Sequence, residues 1–558
     1  MKLNSILTGM LALAIVWVSG CAQRRAAAAE RPRLAATPPM GWNDWAHYQC
    51  GYTAGTILAN ARALVRTGLA ARGYDTVTID DCWMLKSRDG HGDLQVDPGR
   101  FPDGMRPVAA AIHALGLKFG IYEDAGAATC GGFAGSGAAK GGGPAHFLTD
   151  ARLFASWGVD YLKLDGCNVR TSKGQSGEAA YRAAYRAESI ALETAGRPVV
   201  FSQSAPAYFQ GTPDWYDVLG WVRGYGQLWR EGTDVQVYDA GHPDRSRFGS
   251  VMWNYDYNLP LARFQKPGNW NDADFIIGGD SGMTLAETRS QLALWSMMSA
   301  PLILSSRLEK LSPAAIAVLG NSAVLSVDQD PLGRMATLLR RSASLDLLLK
   351  PLRDGDYAVA VLNRGTQALH VEIAARDLGF AAVGCRLDVR DLWTGARRIS
   401  VAVLGGEIQP QDTDIWKIRP AADCGTPERI GVITRIVPNV PEDRQDSQDY
   451  TRCLAAPSTV RQCEGTAAET WRIMADGTVR SAQECLTQVG DRATLAKCGS
   501  GDEQRWQYTL PGNLINRGSH LCLTAPTHGA VAVRACGHNL ASQIWALPND
   551  VTSGATAR

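Results

Sequence analysis

The chain has 558 residues, of which 56 are basic and 55 acidic, so its net charge at neutral pH is +1. This balance argues against nucleic acid as a partner, because nucleic-acid binding requires a basic surface. The length predicts about two to four domains, and a content of 45% hydrophobic and 20% charged residues is typical of a soluble globular protein.

The first 21 residues have the pattern of a lipoprotein-type signal peptide. An apolar run at 6–18 is too short to span a bilayer as a helix of the mature protein. The sequence Val-Ser-Gly-Cys at 18–21 resembles a bacterial lipobox, in which Cys21 becomes the N-terminus and carries lipid; ordinary signal-peptidase cleavage is the alternative. We therefore expect an exported bacterial protein, periplasmic or at the cell surface, anchored to the membrane through Cys21 with residues 22–34 as a tether.

Twelve of the 13 cysteines remain when Cys21 is set aside, and an even number fits an oxidising compartment. Zinc binding is the rival interpretation, but no closely spaced cysteine pair has a second such pair nearby. We therefore predict disulfide bonds and no metal site. The proposed pairs are Cys50–Cys82, Cys130–Cys167, Cys385–Cys424, Cys453–Cys463, Cys485–Cys498 and Cys522–Cys536.

Residues 35–335 alternate short apolar strands with helical stretches. Eight such units predict an α/β fold of the (β/α)₈ TIM-barrel type. In that fold the active site forms at the C-terminal ends of the strands. The strands are predicted at 39–42, 76–80, 118–122, 161–165, 199–202, 226–230, 269–276 and 302–305, with helices such as 107–115, 147–157, 179–194 and 285–298 between them.

Residues 336–420 contain short strands separated by turn signals, which predict a small antiparallel β domain packed on the barrel. The strands are predicted at 345–350, 357–363, 369–373, 385–391 and 415–418. The stretch at 421–449 has proline, glycine and aspartate and is predicted to be a linker.

Residues 450–558 contain three weak repeats, each opening with Cys-Leu and ending in a Gln-x-Trp-like sequence. Threefold repetition indicates a symmetrical assembly of units that cannot bury a core alone. The pattern resembles the ricin-type β-trefoil, a fold often used to bind carbohydrate. The aspartate and the aromatic residue that such sugar sites usually carry are missing, so we expect weak carbohydrate binding at most. The repeats open at Cys453, Cys485 and Cys522 and end at Trp471, Trp506 and Trp545.

Polar side chains gather at the predicted ends of the barrel strands. A pocket lined by carboxylates, a lysine, an arginine and aromatic rings fits a sugar hydrolase, since paired carboxylates supply nucleophile and acid/base and an aromatic ring stacks on the sugar. A single aspartate is more often a helix cap or a turn residue, but six strand ends share the trend. These residues are Trp45, Asp80, Asp81, Tyr122, Glu123, Asp124, Lys163, Asp165, Ser204, Arg230, Asp234, Asp272 and Asp274.

Seven motifs at and after these strand ends, together with DVRDLW at 388–393, are similar to those of glycoside hydrolase family 27. That family contains α-galactosidases and α-N-acetylgalactosaminidases, and the resemblance covers residues 35–420 in the family's order. The seven motifs are MGWNDW at 40–45, IDDCW at 79–83, FPDGM at 101–105, GIYEDAG at 120–126, YLKLDGC at 161–167, WNDAD at 270–274 and DQDPLG at 328–333.

The resemblance implies a retaining exo-hydrolase that needs no cofactor, with Asp165 as nucleophile and Asp234 as acid/base. Its substrate is a glycan that ends in α-galactose or α-N-acetylgalactosamine. The implied ligands are Arg230 for the sugar's 2-position, Asp80 and Asp81 for the 4- and 6-hydroxyls, and Lys163 for the 3- and 4-hydroxyls; Trp45, Tyr122, Cys130, Tyr208 and Asp274 complete the pocket, with the Cys130–Cys167 disulfide beside the nucleophile.

The spacing of the residues supports these roles. Lys163 lies two positions before Asp165, so on one strand both side chains point to the same side, and the cation favours an ionised nucleophile. Asp234 must start protonated, which predicts a raised pKa. A retaining mechanism predicts carboxyl groups roughly 5–5.5 Å apart.

The loop FSQSAPAY at 201–208 bears on the substrate. By the same resemblance, α-galactosidases carry Glu and Leu where this chain has Ser204 and Ala207, whereas α-N-acetylgalactosaminidases carry Ser and Ala. Small residues leave space for a 2-acetamido group, so we expect N-acetylgalactosamine to be accepted. Gln203 and Ala205 replace the usual Cys and Trp, which puts the placement of the loop in doubt. The alternatives are a strict α-galactosidase and a catalytically inactive sugar-binding protein.

Overall fold

The computed structural model describes residues 34–138, 145–235, 247–279, 282–435, 452–525 and 529–548. The predicted signal peptide with Cys21, residues 22–33 of the predicted tether, residues 436–449 of the predicted linker and the end of the chain from 549 lie outside the described residues. Among the described helices, none combines the length and the hydropathy that crossing a bilayer requires.

Eight parallel strands form the predicted barrel, which confirms the fold class. Each strand pairs with its sequence neighbour, β1 also pairs with β8, and a bridge between Ile276 and Leu304 closes the ring. The strands are β1 (Met40–Asn43), β2 (Thr76–Ile79), β3 (Lys118–Asp124), β4 (Tyr161–Asp165), β5 (Val200–Gln203), β6 (Leu228–Arg230), β7 (Trp270–Asp272) and β8 (Leu302–Leu304).

Helices alternate with the strands and carry local signals for their ends. The side chain of Ser176 caps α5, Thr284 and Glu287 form a capping box at α8, and Gly158 ends α4 with a φ of 85°. The helices are α1 (Trp45–Tyr48), α2 (Ala54–Arg66), α3 (Met105–Ala114), α4 (Phe147–Trp157), α5 (Gly177–Thr194), α6 (Asp214–Val222), α7 (Arg247–Asn258), α8 (Leu285–Met298), α9 (Pro313–Leu319) and α10 (Ser322–Asp328).

The predicted antiparallel β domain is a sandwich of a six-stranded sheet, in the order β14-β13-β16-β11-β10-β9, and a β12-β15 pair. It packs on α8, where Ser290 donates to the carbonyl of Gln411 across 2.7 Å. Because α8 is covered by the barrel and by the sandwich, it is buried on nearly all sides. The strands are β9 (Thr337–Arg341), β10 (Leu345–Pro351), β11 (Tyr357–Asn363), β12 (Leu369–Ala374), β13 (Leu387–Asp391), β14 (Arg397–Val401), β15 (Val403–Ile408) and β16 (Thr413–Pro420).

A β-rich domain with threefold internal equivalence follows, as predicted for the trefoil. In each repeat the buried indole of the Gln-x-Trp-like tryptophan donates to the carbonyl of the leucine in Cys-Leu. The three pairs are Trp471 to Leu454 at 2.7 Å, Trp506 to Leu486 at 2.9 Å and Trp545 to Leu523 at 2.9 Å. The strands are β17 (Ile430–Val432), β18 (Thr434–Arg435), β19 (Arg452–Ala455), β20 (Thr459–Gln462), β21 (Thr470–Ile473), β22 (Val479–Ser481), β23 (Glu484–Val489), β24 (Arg492–Lys497), β25 (Trp506–Tyr508), β26 (Leu514–Asn516), β27 (Cys522–Thr524), β28 (Gly529–Ala530), β29 (Ala532–Arg534) and β30 (Trp545–Ala546).

The linker predicted at 421–449 is wrong in part. Strands β17 and β18 fall inside it, and they pair with β21, β19 and β30 of the trefoil. Val432 and Ile433 are buried, so this segment supplies part of the trefoil core. At the other end, Cys424 is bonded to Cys385 and belongs to the sandwich.

The described part of the chain contains six disulfides, and they are the six pairs proposed from the sequence. Two of them, Cys50–Cys82 and Cys130–Cys167, tie loops at the C-terminal end of the barrel. Each trefoil repeat holds one of its own. This number of disulfides indicates an oxidising compartment.

Candidate active site

The C-terminal ends of the barrel strands bring the predicted carboxylates, the lysine and the arginine into one pocket. Asp165 is the last residue of β4, Arg230 is the last of β6, and Asp80 directly follows β2. Asp274 lies two residues beyond β7 with a φ of 78°. A non-glycine residue in this left-handed region is held there against a conformational cost, and such residues cluster at functional sites.

Two hydroxyls and a backbone amide orient the carboxylate of Asp165. Tyr208 donates to its Oδ1 across 2.5 Å, and Tyr122 donates to its Oδ2 across 3.3 Å. The amide of Gly166 lies 2.9 Å from Oδ1. The Cys130–Cys167 disulfide borders this group, with Cys167 Sγ 3.1 Å from the Tyr208 hydroxyl.

Lys163 provides the positive charge beside the carboxylates. Its Nζ donates to Oδ2 of Asp80 across 2.7 Å, and its ammonium lies 5.2 Å from the ring centre of Tyr122. Burial lowers the pKa of Lys163, but the carboxylates of Asp80, Asp165 and Asp234 outweigh burial and hold the pKa above its ordinary value. The side chain therefore stays charged close to both predicted catalytic carboxylates.

Asp81 is held by backbone amides rather than by a cation. Its Oδ2 accepts from Gly131 across 2.8 Å and its Oδ1 accepts from Cys82 across 2.7 Å. Burial raises the pKa of Asp81, although these hydrogen bonds oppose the shift. The two adjacent carboxyls are therefore held in different ways, Asp80 by the ammonium of Lys163 and Asp81 by backbone amides.

Asp234 differs from its prediction. Arg230 Nη2 donates to its Oδ1 across 2.9 Å, and its side chain is 61% exposed. Although most of the side chain is exposed, the protein atoms packed around the carboxyl still raise the pKa of Asp234, but Arg230 and Lys163, with a hydrogen bond from Trp45, outweigh that effect and lower the pKa below its ordinary value. The expected raised pKa is therefore wrong for the unliganded protein, because the cation that the sequence assigned to the substrate pairs with this carboxylate.

Asp274 shares the same guanidinium. Its Oδ1 lies 2.8 Å from Arg230 Nη1, and its Oδ2 accepts from the amide of Val235 across 2.5 Å. Burial, together with the neighbouring carboxylates of Asp234 and Asp272, raises the pKa of Asp274 to about 7 against the opposing effect of Arg230. Near neutral pH without substrate, Asp274 therefore holds a proton more readily than Asp234 does.

The substrate loop lies against the candidate nucleophile despite its unusual sequence. Ser204, 5% exposed, donates its amide to the carbonyl of Leu164 across 3.0 Å, and the 3-10 turn Ala205–Phe209 that follows carries Ala207 and Tyr208. Gln203 is buried and donates to the carbonyl of Val222 across 3.0 Å. The replacements at 203 and 205 therefore leave Tyr208 in contact with Asp165.

Two further strand-end residues support these groups: Asn43, to which the sequence assigns no role, and Asp124, which the sequence places among the pocket carboxylates without a specific role. Asn43, at the end of β1, donates from Nδ2 to Oδ2 of Asp80 across 2.7 Å. Asp124, at the end of β3, accepts from the amide of Cys167 across 2.9 Å. Their positions at the ends of predicted strands were the sequence signal that could have identified them as site residues. The roles assigned to the site residues remain predictions.

Four potential metal-ligating atoms converge at Asp165. They belong to Asp124, Cys130, Asp165 and Cys167 and lie within 4.8 Å of one another. Both sulfurs are consumed in a disulfide and cannot act as thiolate ligands. What remains is a pair of carboxyls, and burial together with the charge of Asp165 raises the pKa of Asp124 well above its ordinary value.

Comparisons with known proteins match all three domains. A family model described as alpha galactosidase A matches residues 37–330, one for the alpha galactosidase C-terminal beta sandwich domain matches 342–418, and one for the ricin-type beta-trefoil lectin domain matches 445–545. The chain is 37% identical to alpha-galactosidase A of Aspergillus niger over 534 residues, which cover 94% of this chain and 93% of that protein.

It is also 35% identical to an alpha-N-acetylgalactosaminidase of Gallus gallus over 407 residues, which cover 70% of this chain and 95% of that protein. Among solved structures, alpha-galactosidase I of Mortierella vinacea matches with a TM-score of 0.61 and 28% identity, covering 70% of this chain and 98% of that one.

Proposed function

The chain belongs to glycoside hydrolase family 27, and from that membership we propose that it is a retaining exo-hydrolase that removes terminal α-linked galactose or N-acetylgalactosamine from glycans. The observation that carries this proposal is that Asp165 ends β4 and Asp234 lies four residues after the end of β6, with both carboxylates close enough to the buried ammonium of Lys163 to raise its pKa. Double displacement requires two carboxyl groups that flank the bound sugar.

In the first step, a carboxylate oxygen of Asp165 bonds to the anomeric carbon while the glycosidic C–O bond breaks. Asp234 donates its proton to the departing oxygen, and a glycosyl ester of Asp165 remains. In the second step, Asp234 takes a proton from water, whose oxygen attacks the anomeric carbon and releases Asp165. The two inversions retain the α configuration. Tyr208, which donates to Asp165, steadies the carboxylate through both steps.

Asp234 needs a proton at the start, and the low pKa of its unliganded state opposes this. We expect a bound sugar to draw Arg230 toward its 2-substituent and to cover the exposed side chain of Asp234. Both effects raise the pKa of Asp234, since losing a cation and losing water each disfavour the ionised form. Substrate binding would thus raise the pKa of Asp234 enough for it to hold the proton that the first step needs.

Ser204 and Ala207 support acceptance of a 2-acetamido group. Both lie in the loop whose Tyr208 contacts Asp165, and both are small. The relatives include an alpha-galactosidase and an alpha-N-acetylgalactosaminidase, so family membership alone leaves both sugars open. The small side chains favour an enzyme that hydrolyses both.

Export is proposed on two observations. Six disulfides indicate an oxidising environment, and the lipobox-like sequence ending at Cys21 supports a lipid anchor. The trefoil would contribute at most weak binding to carbohydrate, because its repeats lack the usual sugar-contacting residues.

The test uses aryl α-galactoside and aryl α-N-acetylgalactosaminide. Asp165→Gly should lose activity and regain it with azide, giving a glycosyl azide of inverted configuration. Asp234→Ala should keep its first step on an activated aryl substrate better than its second, because a good leaving group needs no acid. Near-normal turnover by Asp165→Gly without azide would reject the assignment. A wild-type protein that binds sugar but hydrolyses neither substrate would be a binding protein.

A further inference from the structure

The third trefoil repeat contacts the barrel through the turn at 537–540. Asn539, 5% exposed, donates from Nδ2 to the carbonyl of Pro213 across 3.0 Å. His538 Nε2 lies 2.9 Å from Oδ2 of Asp217. Pro213 is the N-cap of α6 and Asp217 lies in its first turn, so both contacts fall on the N-terminal end of one barrel helix.

This turn is longer than its two counterparts. Gln543 follows Cys536 by seven positions, whereas Gln504 follows Cys498 and Glu469 follows Cys463 by six. In all three turns that Gln or Glu accepts a hydrogen bond from the amide just after the cysteine. The turns are therefore equivalent in structure, and the additional residue lies in the one that meets the barrel.

The contacted helix continues from the active-site loop at 204–213. Tyr208 of that loop donates to Asp165, and Gln210 accepts from the amide of Thr233, which precedes Asp234, across 3.2 Å. Trp215, in the first turn of α6, donates to the carbonyl of Glu231 across 2.8 Å. One short segment thus touches the trefoil on one side and the surroundings of both predicted catalytic carboxyls on the other.

A second attachment fixes the orientation of the trefoil. Arg263, after α7, donates from Nε to the carbonyl of Leu510 across 2.5 Å and from Nη2 to that of Pro511 across 2.6 Å. Its guanidinium lies 5.8 Å from the ring centre of Tyr508. Two separate contacts resist rotation of the domain far better than one contact does.

We propose that the trefoil supports the active-site loop at 204–213, with Asn539 as a positioning residue that acts through α6 on Tyr208 and hence on Asp165. The trefoil then serves hydrolysis itself, even of substrates too small to reach any sugar site on it. The activity part of this inference rests on the proposed function, whereas the ordering of the loop does not.

The test is Asn539→Asp in the full chain. Aspartate keeps the size of the side chain and tolerates the φ of 43° at this position, but it loses the donor and faces the Pro213 carbonyl with an oxygen. We expect kcat/KM for aryl α-galactoside to fall by about twofold to thirtyfold with the melting temperature of the barrel unchanged. The loss should fall mainly on kcat, because the nucleophile is misplaced rather than the sugar unbound. Ser500→Asp, which puts the same charge on the exposed equivalent turn of the second repeat, should leave kcat/KM unchanged.

Hydrogen exchange gives a readout independent of catalysis. The amides of 204–213 should exchange faster in Asn539→Asp than in the wild type or in Ser500→Asp. Equal exchange in all three proteins, with equal kcat/KM, would overturn the inference. If the wild type hydrolyses neither aryl substrate, the proposed function fails while faster exchange in Asn539→Asp still supports the positioning role.

Discussion

Arg230 donates a hydrogen bond from Nη2 to Oδ1 of Asp234 across 2.9 Å. The same guanidinium lies 2.8 Å from Asp274, so one buried cation serves two carboxyls. Their pKa values move in opposite directions. Burial and the neighbouring carboxylates raise the pKa of Asp274 to about 7, whereas the cations Arg230 and Lys163 lower the pKa of Asp234 below its ordinary value. The protonation of Asp234, the proposed acid, therefore depends on whether Arg230 stays paired with its carboxylate.

Arg230→Met should move the alkaline limb of the pH profile of kcat/KM to higher pH. Without the cation the pKa of Asp234 rises, so its acid form persists further into the alkaline range. The maximum of kcat/KM should fall as well, because the residue proposed to bind the sugar's 2-substituent is lost. The measurement is a pH series with an aryl α-galactoside whose poor leaving group needs the acid. Arg230→Lys keeps the charge and should shift the limb less. A limb that stays in place in Arg230→Met would contradict this account.

Tyr208→Phe should lower kcat/KM by about tenfold to a hundredfold, since a hydrogen bond to a charged acceptor contributes about 1.5–3 kcal/mol. The lost donor lies 2.5 Å from Asp165. Tyr181→Phe is the matched control, because its hydroxyl donates to the backbone carbonyl of Gly166 across 2.6 Å and not to the carboxylate. The measurement is steady-state kcat/KM for both variants. An equal fall in kcat/KM in the two would mean that Tyr208 acts only by packing.

The strand ends of the barrel could be predicted because parallel strands bring their carboxyl ends to one rim. That rule and the two-residue period of a strand were enough to predict that Asp80, Lys163 and Asp165 lie together at this rim. The pKa of Asp234 could not be predicted in the same way. Arg230 has three possible partners, the sugar, Asp234 and Asp274, and sequence spacing does not choose between them.

Exposed strands, and segments whose partners are distant in sequence, were harder to predict. Strand β14 is mostly exposed, so it lacks the alternation that marks a half-buried strand. Strand β17 pairs with β21, about forty residues further along, and proline and glycine nearby favoured a linker. The docking of Asn539 on Pro213 joins residues 326 positions apart, and neither residue type signals such a contact.

Asp346→Asn should destabilise the junction of the sandwich and the barrel by about 3–5 kcal/mol at neutral pH, because it leaves buried guanidinium groups short of a counter-charge. Asp346 accepts two hydrogen bonds from Arg341, at 2.8 and 2.6 Å, one from Arg364 at 2.8 Å and one from Tyr255 of α7 at 3.1 Å. The measurement is the midpoint of denaturant unfolding. Asp356→Asn in the same sandwich is the control, since this buried carboxylate pairs with Arg419, 66% exposed, and Lys417, 34% exposed; water can solvate both cations when the pair is lost, and pairs with exposed cations contribute about 0–1 kcal/mol.

The effect of Asp346→Asn should also depend on pH. Burial raises the pKa of Asp346, but Arg341 and Arg364 outweigh it and lower the pKa below the ordinary value. A carboxyl with a depressed pKa stabilises the fold above its unfolded pKa of about 3.9 and loses that contribution as the pH falls through its folded pKa. The difference in midpoint between wild type and variant should therefore shrink below about pH 4. A difference that is constant from pH 7 to pH 3 would show that packing, not charge, is what the substitution removes.

The last prediction concerns the choice between the two sugars. Ser204→Glu with Ala207→Leu should shift preference from the N-acetylgalactosaminide toward the galactoside. The glutamate would occupy the space for the acetamido group and could accept a hydrogen bond from a 2-hydroxyl, and the leucine would fill the space of the acetyl methyl. Each lost apolar contact changes discrimination by only about 1–3 kcal/mol, and the unsatisfied hydroxyl or amide adds a similar amount. The two positions share one small space, so we expect the double variant to differ from the sum of the single ones. The measurement is the ratio of kcat/KM for the two aryl substrates in the wild type, both single variants and the double variant. A ratio that stays constant across all four proteins would place the acetamido group elsewhere, even though Tyr208 of the same loop touches Asp165.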